Sequence, residues 1–499
     1  MPEDNLNLQT EPTPATATFE PSEFESLINK EFRPKTEQAK TAVQEAVKTL
    51  AEQAIGAGSL ISNDVLLTIE SLIGELDRKL SEQINLIIHH DDFRNLEGTW
   101  RGLYHLVSNT ETDEMLKIRV MNITKKELGK TLKTYKVTAW DQSPIFKKIY
   151  EDEYGSPGGQ PYGCLLGDYH FDHSAPDVAL LGSMSQIAAA AHAPFIGGAG
   201  PTVMNMDSWR ELSDPRDLTK IFQTPEYAPW RSLRNSEDSR YLGLAMPRFL
   251  SRLPYGAKTS PVEEFGFEED VEGADHNKYV WSNSAYAMGT NITRAFKLYG
   301  WCAQIRGTES GGMLEDLPVH TFPTDDGGVD MKCPTEIAIT DRREAELAKN
   351  GFMPISHYKN TDYAVFIGAQ SLQKPTIYDD PDATANANLS ARLPYLFATC
   401  RFAHYLKCMV RDKIGSFKER ADMERWLNDW IKKFCVDGKT ASEAQKAQRP
   451  LADASVEVEE VEGNPGYYSA KFFLRPHFQL EGLTVSLRLV SKLPSVKGK

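Results

Sequence analysis

Four residues in a row, His89-His90-Asp91-Asp92, form the densest cluster of potential metal ligands in the chain. Adjacent histidines point to different sides of a helix, and no second His/Cys/Asp group stands at a matching spacing, so a polar helix end is the expected reading. Ser310, in GTESGG, is the best candidate nucleophile, with His320 and several aspartates downstream. It lacks the GxSxG frame that exposes a serine on a strained turn, which speaks against a hydrolase. The acidic pairs Asp325-Asp326 and Asp379-Asp380 read as solvated loop carboxylates, since nothing sets them across a cleft. FIGGAGP (195–201) has neither GxGxxG nor the Lys-Ser/Thr of a phosphate loop, so its glycines are expected at a turn or a close backbone approach. The cysteines 164, 302, 333, 400, 408 and 435 form no CxxC pair and are expected as buried free thiols of a reducing compartment. No cofactor, metal or catalytic residue is assigned.

The elements that would have to position a site are mixed. A chain of 499 residues exceeds a single core, and 40% hydrophobic with 25% charged residues is ordinary globular composition. The formal charge of −14 argues against general binding to nucleic acid or to an anionic membrane. The N-terminus lacks the basic and apolar regions of a signal peptide, and no apolar run reaches membrane-spanning length, so a soluble cytoplasmic protein is expected.

Residues 1–20 are rich in Thr, Pro and Glu and are expected to be disordered. Pro21, Ser22 and Glu25 then carry a helix-start signature, and Phe24, Leu27, Ile28 and Phe32 fall on one face before Pro34. A helix this short is marginal alone, so 22–32 reads either as a docking peptide or as a piece of the fold. Helices are predicted over about 36–54, 64–89 and 93–107, the second carrying the apolar stripe Leu66, Ile69, Ile73, Leu76, Leu80, Ile84 and Ile87. Leu116, Ile118 and Val120 alternate with Lys117, Arg119 and Met121, as a half-buried strand would. Further strands are predicted at 163–170, 335–340 and 362–368, and helices at 142–151, 177–193 and 283–303. Residues 389–414 and 417–434 suggest two helices with basic residues between aromatic ones, read as a core face with a basic exposed face. Strand-like runs close the chain at Ser455–Val461, Tyr467–Leu474 and Leu483–Val490. The last alternates strictly, Leu483, Val485, Leu487 and Leu489 against Thr484, Ser486 and Arg488, and must find a sheet in its own domain or a neighbour's. The class is α/β, or mixed α+β.

Five segments, HHDDFRNLEGTWRGLYHLV (89–107), MPRFLSRLPYG (246–256), IRGTESGGMLEDLPVHTFPTDD (305–326), LSARLPYLFATCRFAHYLKCMVRDKIGSF (389–417) and GYYSAKFFLRPHFQLEGLTVSLRLVSKLP (466–494), closely resemble in order and wording the large sheath subunit of bacterial type VI secretion systems, the TssC or VipB family. The likeness runs from about residue 60 to the C-terminus. It implies a multi-domain contractile-tail-sheath fold, with N-terminal helices and C-terminal strands shared between subunits. The expected divisions are a tail at 1–20, a helical segment at 21–60, mixed sheath domains at 61–375 and helices with exchanged strands at 376–499.

The resemblance also implies partners. These are the small sheath subunit (TssB or VipA), the Hcp tube inside the sheath, the baseplate, and the AAA+ ATPase ClpV that recycles contracted sheath. ClpV would grip the helix bearing Phe24, Leu27 and Ile28; Leu483, Val485, Leu487 and Leu489 would pair across subunits; Arg411, Lys413 and Lys418 are candidates to face the tube. A Gram-negative cytoplasm follows. A phage or tailocin sheath protein and an α/β hydrolase are the alternatives.

Overall fold

The structure, a computed structural model, describes residues 65–135, 139–214, 217–273, 275–324, 326–415, 420–461 and 468–479, with Gln38, Thr41, Glu45 and Thr49 before them. Those four positions are helical, in keeping with the helix predicted over 36–54. The expected docking helix, the expected last strand and Lys418 lie outside the described residues.

The chain divides into two compact units, residues 1–84 with 263–267, and residues 85–262 with 268–499. What is described of the first is mainly the start of helix α1 (Val65–Ile88). Arg78 pairs there with Glu75 at 2.7 Å and with Glu82, while Ile73, Leu76 and Leu80 are exposed. The predicted apolar stripe is therefore present as a helix face that those residues leave open to solvent.

The second unit begins with α2 (Asp91–Ser108) and α3 (Lys125–Thr134), and α3 opens on a capping box between Thr124 and Glu127. A π-helical turn at Lys147–Gly155 ends the helical region predicted at 142–151. Next come β1 (Leu165–Phe171), α4 (Ala175–Ala191), β2 (Phe195–Ala199), α5 (Ala228–Asn235) and β3 (Leu242–Met246). The short strands β4 (Phe249–Leu250) and β5 (Trp281–Ser282) pair with each other before α6 (Ser284–Tyr299). There follow β6 (Met313–Leu314), β7 (Thr321–Pro323), β8 (Val329–Met331), α7 (Asp341–Lys349), β9 (Met353–His357) and β10 (Ala364–Phe366). Helices α8 (Pro381–Ser390), α9 (Leu393–Arg411), α10 (Arg420–Ile431) and α11 (Glu443–Gln448) lead to β11 (Leu451–Glu460) and β12 (Tyr468–Pro476).

The central sheet runs β1-β2-β3-β9-β10-β6, parallel from β1 to β9 and antiparallel beyond. Strands covered on both faces should be apolar throughout, and β2 and β3 are buried at every position. Their residues alternate between two cores. Phe195, Leu242, Leu244 and Met246 join α4 residues such as Leu181 and Ile187, while Ile196 and Ala245 join Met288 and Ile292 of α6 and Leu396 and Phe397 of α9. A third core, around Phe402, Leu427, Ile431, Val456 and Val458, joins α9, α10 and the β11–β12 hairpin.

Two predicted strands do not form. Residues 335–340 contribute one isolated bridge, Phe249 with Thr335, flanked by main-chain bonds from Leu250 to Pro334 (2.8 Å) and from Glu336 to Arg248 (3.0 Å), and Glu336 also pairs with the Arg248 side chain (Nη2–Oε1 2.6 Å). Residues 116–121 run without helix or ladder; Leu116 and Ile118 are half-buried between exposed Lys117 and Arg119, but Val120 is exposed like Met121, so the alternation stops there, and no strand pairs with them among the described residues.

Candidate assembly surfaces

The residues picked for chemistry are engaged in structure. His90 caps α2 by accepting from the Asp92 amide at 3.3 Å, and His89 Nε2 lies 3.3 Å from Glu269 Oε1. Asp380 caps α8 in the same way, accepting from the Asp382 amide at 3.0 Å. His320 is buried, with Nδ1 2.6 Å from the Tyr279 hydroxyl. Among the described residues no three His, Cys, Asp or Glu side chains gather to hold a metal ion, and no helix is long and apolar enough to cross a membrane. FIGGAGP is strand β2 with its exit, and its glycines serve a close approach: a Cβ on Gly198 would lie 2.6 Å from Asn283 Oδ1.

The cysteines are free, and burial pushes the Cys302 thiol up to about 12 and those of Cys164 and Cys400 higher still. Cys333 departs from that pattern: burial raises its thiol, but hydrogen bonds from His357 and Thr335 outweigh it and lower the net value.

The basic residues of α9 do not form the exposed face expected from sequence. The Arg401 guanidinium lies 5.0 Å from the Phe296 ring centre and 4.7 Å from that of Tyr405. The Lys407 ammonium sits 3.7 Å from the Tyr154 ring centre and donates to the Tyr150 hydroxyl at 3.1 Å. Cation–π contact and burial of the aliphatic stems explain why cations stand among aromatic rings here. Arg411, near the helix end, reaches Cys408 Sγ at 3.8 Å, and exposed Lys413 lies 5.8 Å from the Trp426 ring centre.

The C-terminal hairpin is the element best shaped for joining another chain. β11 and β12 pair in antiparallel register from Asp453↔Arg475 to Glu460↔Tyr468. The outer edge of β11 is closed by α10: Asn428 donates Nδ2 to the Val456 carbonyl at 2.8 Å and accepts from the Val456 amide at 3.0 Å. Glu424 Oε2 accepts from the Val458 amide at 3.2 Å. Val456 thus points its main chain away from β12, so Val456 and Phe472 form a non-hydrogen-bonded pair. By the same alternation Ala470, Phe472 and Leu474 turn their N–H and C=O groups to the outer edge of β12. No described strand covers that edge. Phe472 and Leu474 pack on the third core yet stay half-buried, and Phe473 on the other face is 54% exposed. Sequence reasoning found the strands but not the side chains that leave only one edge open; Asn428 in a helix otherwise built for packing is the signal that was there.

Comparison with known proteins is consistent along the whole chain. The profile described as "EvpB/VC_A0108, tail sheath N-terminal domain" matches residues 70–373, and "EvpB/VC_A0108, tail sheath gpW/gp25-like domain" matches 382–493. The type VI secretion system sheath protein TssC1 of Pseudomonas aeruginosa is 73% identical over 484 residues, 97% of each chain. Among solved structures, the anti-feeding prophage baseplate gives a TM-score of 0.35 at 10% identity, covering 63% of this chain and 67% of that one. The contracted helical sheath of the same particle gives 0.29 at 11% identity, with the same coverage of 63% and 67%.

Proposed function

For a chain that belongs to the EvpB/VC_A0108 tail-sheath family, we infer the full working cycle of a type VI secretion sheath. The chain is the large subunit of that contractile sheath, a structural protein and not an enzyme. Near-complete identity in length and 73% identity in sequence to TssC1 is the observation that carries this. In the proposed cycle the chain pairs with the small sheath subunit in the cytoplasm of a Gram-negative cell. The heterodimers polymerise from a baseplate around the Hcp tube, contract to drive the tube into a target cell, and are dismantled by ClpV through Phe24, Leu27 and Ile28.

The exchanged strand is Leu483–Leu489, and the open edge of β12 in a neighbouring copy is its proposed acceptor. Main-chain bonds along Ala470, Phe472 and Leu474 would hold it, and the alternating Leu483, Val485, Leu487 and Leu489 would extend the half-buried face beside Phe472. Such a join stays paired while rigid domains rotate about it. We place the sheath domains at 61–375 and the exchange region at 376–499, with a tail at 1–20 and a helical segment at 21–60. Arg411, Lys413 and Lys418, at the end of α9 and just beyond it, are proposed to face the tube.

The test is co-expression with the small subunit followed by negative-stain microscopy. Long hollow tubules are expected; discrete particles alone would overturn the reading.

A further inference from the structure

Gln479, the last described residue, is tied down by three hydrogen bonds. Its Oε1 accepts from Arg306 Nε at 2.7 Å, its Nε2 donates to the Ala303 carbonyl at 2.8 Å, and its main-chain amide donates to the Tyr395 hydroxyl at 3.0 Å. A side-chain amide accepts at one end and donates at the other, and both ends are engaged here by the loop that follows α6.

The groups that hold Gln479 belong to the packed body of the chain. Arg306 is buried, Ile305 beside it is fully buried in the second core, and Leu396 and Phe397, next to Tyr395 on α9, lie in that same core. β12 packs on a different core, the third. The hairpin is complete without Gln479: its ladder closes at Leu451↔Pro476, and the His477 amide then donates to the Pro450 carbonyl at 3.1 Å. The chain passes the exposed Phe478 and is fastened again, to separate elements, before it continues.

Three residues, 480–482, separate this anchor from Leu483. An extended chain spans at most about 3.6 Å per residue, so Leu483 must start within about 14 Å of Gln479. Held only at His477, it could start about 21 Å away. The volume open to it would be about threefold larger, and its effective concentration at one acceptor about threefold lower.

We propose that Gln479 is the positioning residue of the join between subunits: its amide fixes the point from which the exchanged strand leaves, and so which neighbouring β12 edge that strand reaches. This rests on the strand exchange inferred above. Tension on the strand then enters the body of the subunit through Arg306 and α9. It by-passes the subunit's own hairpin, which stays free to accept the strand of another copy.

The experiment uses the full chain co-expressed with the small subunit, with benzoylphenylalanine in place of Thr484 as the reporter. On irradiation the otherwise unaltered chain should give a product of twice its mass on a denaturing gel, joined at a β12 peptide. Gln479→Ala with Tyr395→Phe removes all three bonds. It should lower that product about threefold and raise the concentration needed for tubules about threefold, with the yield and elution of heterodimer unchanged. Gln479→Asn carries the same amide one methylene shorter and should move both values in the same direction. Cross-linking and polymerisation at the unaltered level in both variants would overturn the proposal. So would a loss of heterodimer in step with the cross-link in both, because that is what a merely structural contact predicts. Reporter products confined to a single chain, or joined elsewhere than β12, would instead overturn the strand exchange itself, and the proposal with it.

Discussion

Arg252 grips Glu269 with two parallel hydrogen bonds, Nη1 to Oε2 at 2.6 Å and Nη2 to Oε1 at 3.2 Å, where the two side chains are only 8% and 1% exposed. Its Nε also donates to Glu97 Oε1 at 2.6 Å, and the Tyr255 ring lies beneath the guanidinium at 4.3 Å. Glu97 belongs to α2 and Arg252 to the MPRFLSRLPYG run, so this network joins two of the five segments that carry the family likeness. Burial pushes the Glu97 carboxyl up, but the Arg252 and Arg101 hydrogen bonds and charges outweigh it and leave it low.

Removing one partner of a buried ion pair strands the other, which costs about 3–5 kcal/mol. Arg252→Met should therefore lower the stability of the chain by about that amount, read as the urea midpoint of the purified heterodimer. Adding Glu97→Gln and Glu269→Gln to the same chain should recover much of the loss. A triple variant no more stable than the single one would show that the loss came from packing and not from stranded charge.

Acidification should weaken the fold in two stages. Burial lowers the imidazoles of His105 and His404 to about 4; in His404 it outweighs the opposing pull of the Nε2–H hydrogen bond to the Ala191 carbonyl at 2.9 Å. For a depressed group the unfolded chain binds the proton first, so stability is complete above the unfolded value near 6.5 and falls from there toward pH 4. Burial pushes Glu336 up, but Arg248 and His276 outweigh it and hold the carboxyl at about 2; its contribution is lost between the ordinary value of 4.5 and about 2. His404→Gln should make the first stage shallower, with His105 keeping its share, and leave the second. An unchanged pH profile between 6.5 and 4 in that variant would place the sensitivity on other groups.

Helices with strong periodicity were legible from sequence: 64–89 is Val65–Ile88, 93–107 is Asp91–Ser108, and 177–193 is Ala175–Ala191. Those patterns are local, set by one face and one cap. What failed was pairing. Leu116 and Ile118 are half-buried as the alternation implied, but Val120 is 68% exposed, and a strand also needs a partner, which periodicity cannot supply. The run at 335–340 is apolar enough for a strand, yet Glu336 fixes its main chain at Arg248, donating its amide to the Arg248 carbonyl at 3.0 Å. Arg252 and Asn428 were hidden for a similar reason: each acts through residues far away in the chain. The basic residues of α9 read as a solvent face because spacing shows where a cation stands on a helix and not that Tyr150 and Tyr154 lie over it.

The N-terminal handle is open to a direct test. Phe24→Ala, Leu27→Ala and Ile28→Ala together should spare sheath assembly and contraction and slow disassembly by ClpV. Three apolar side chains at roughly 1.5–3 kcal/mol each when fully buried should be plain in a binding isotherm. Unchanged affinity for the ATPase would move the handle elsewhere in the chain.

The C-terminal strand is the point on which the mechanism turns. Ending the chain before Leu483, or introducing Val485→Pro with Leu487→Pro, should abolish tubules. Proline removes a main-chain donor and is excluded from the middle of a sheet, so it attacks pairing and not one contact. The acceptor can be struck separately. Phe472→Pro removes an amide that faces the open edge of β12, while Phe473→Pro removes one that faces β11 and should damage the hairpin itself. If the strand crosses between copies, the truncated chain and Phe472→Pro should both still elute as soluble heterodimer with the small subunit while forming no tubules. If the strand returns to its own β12, truncation should cost the heterodimer as well, since Phe472 and Leu474 would lose cover within one chain. Size-exclusion chromatography beside microscopy separates these outcomes, and normal tubules from the truncated chain would end the strand-exchange proposal.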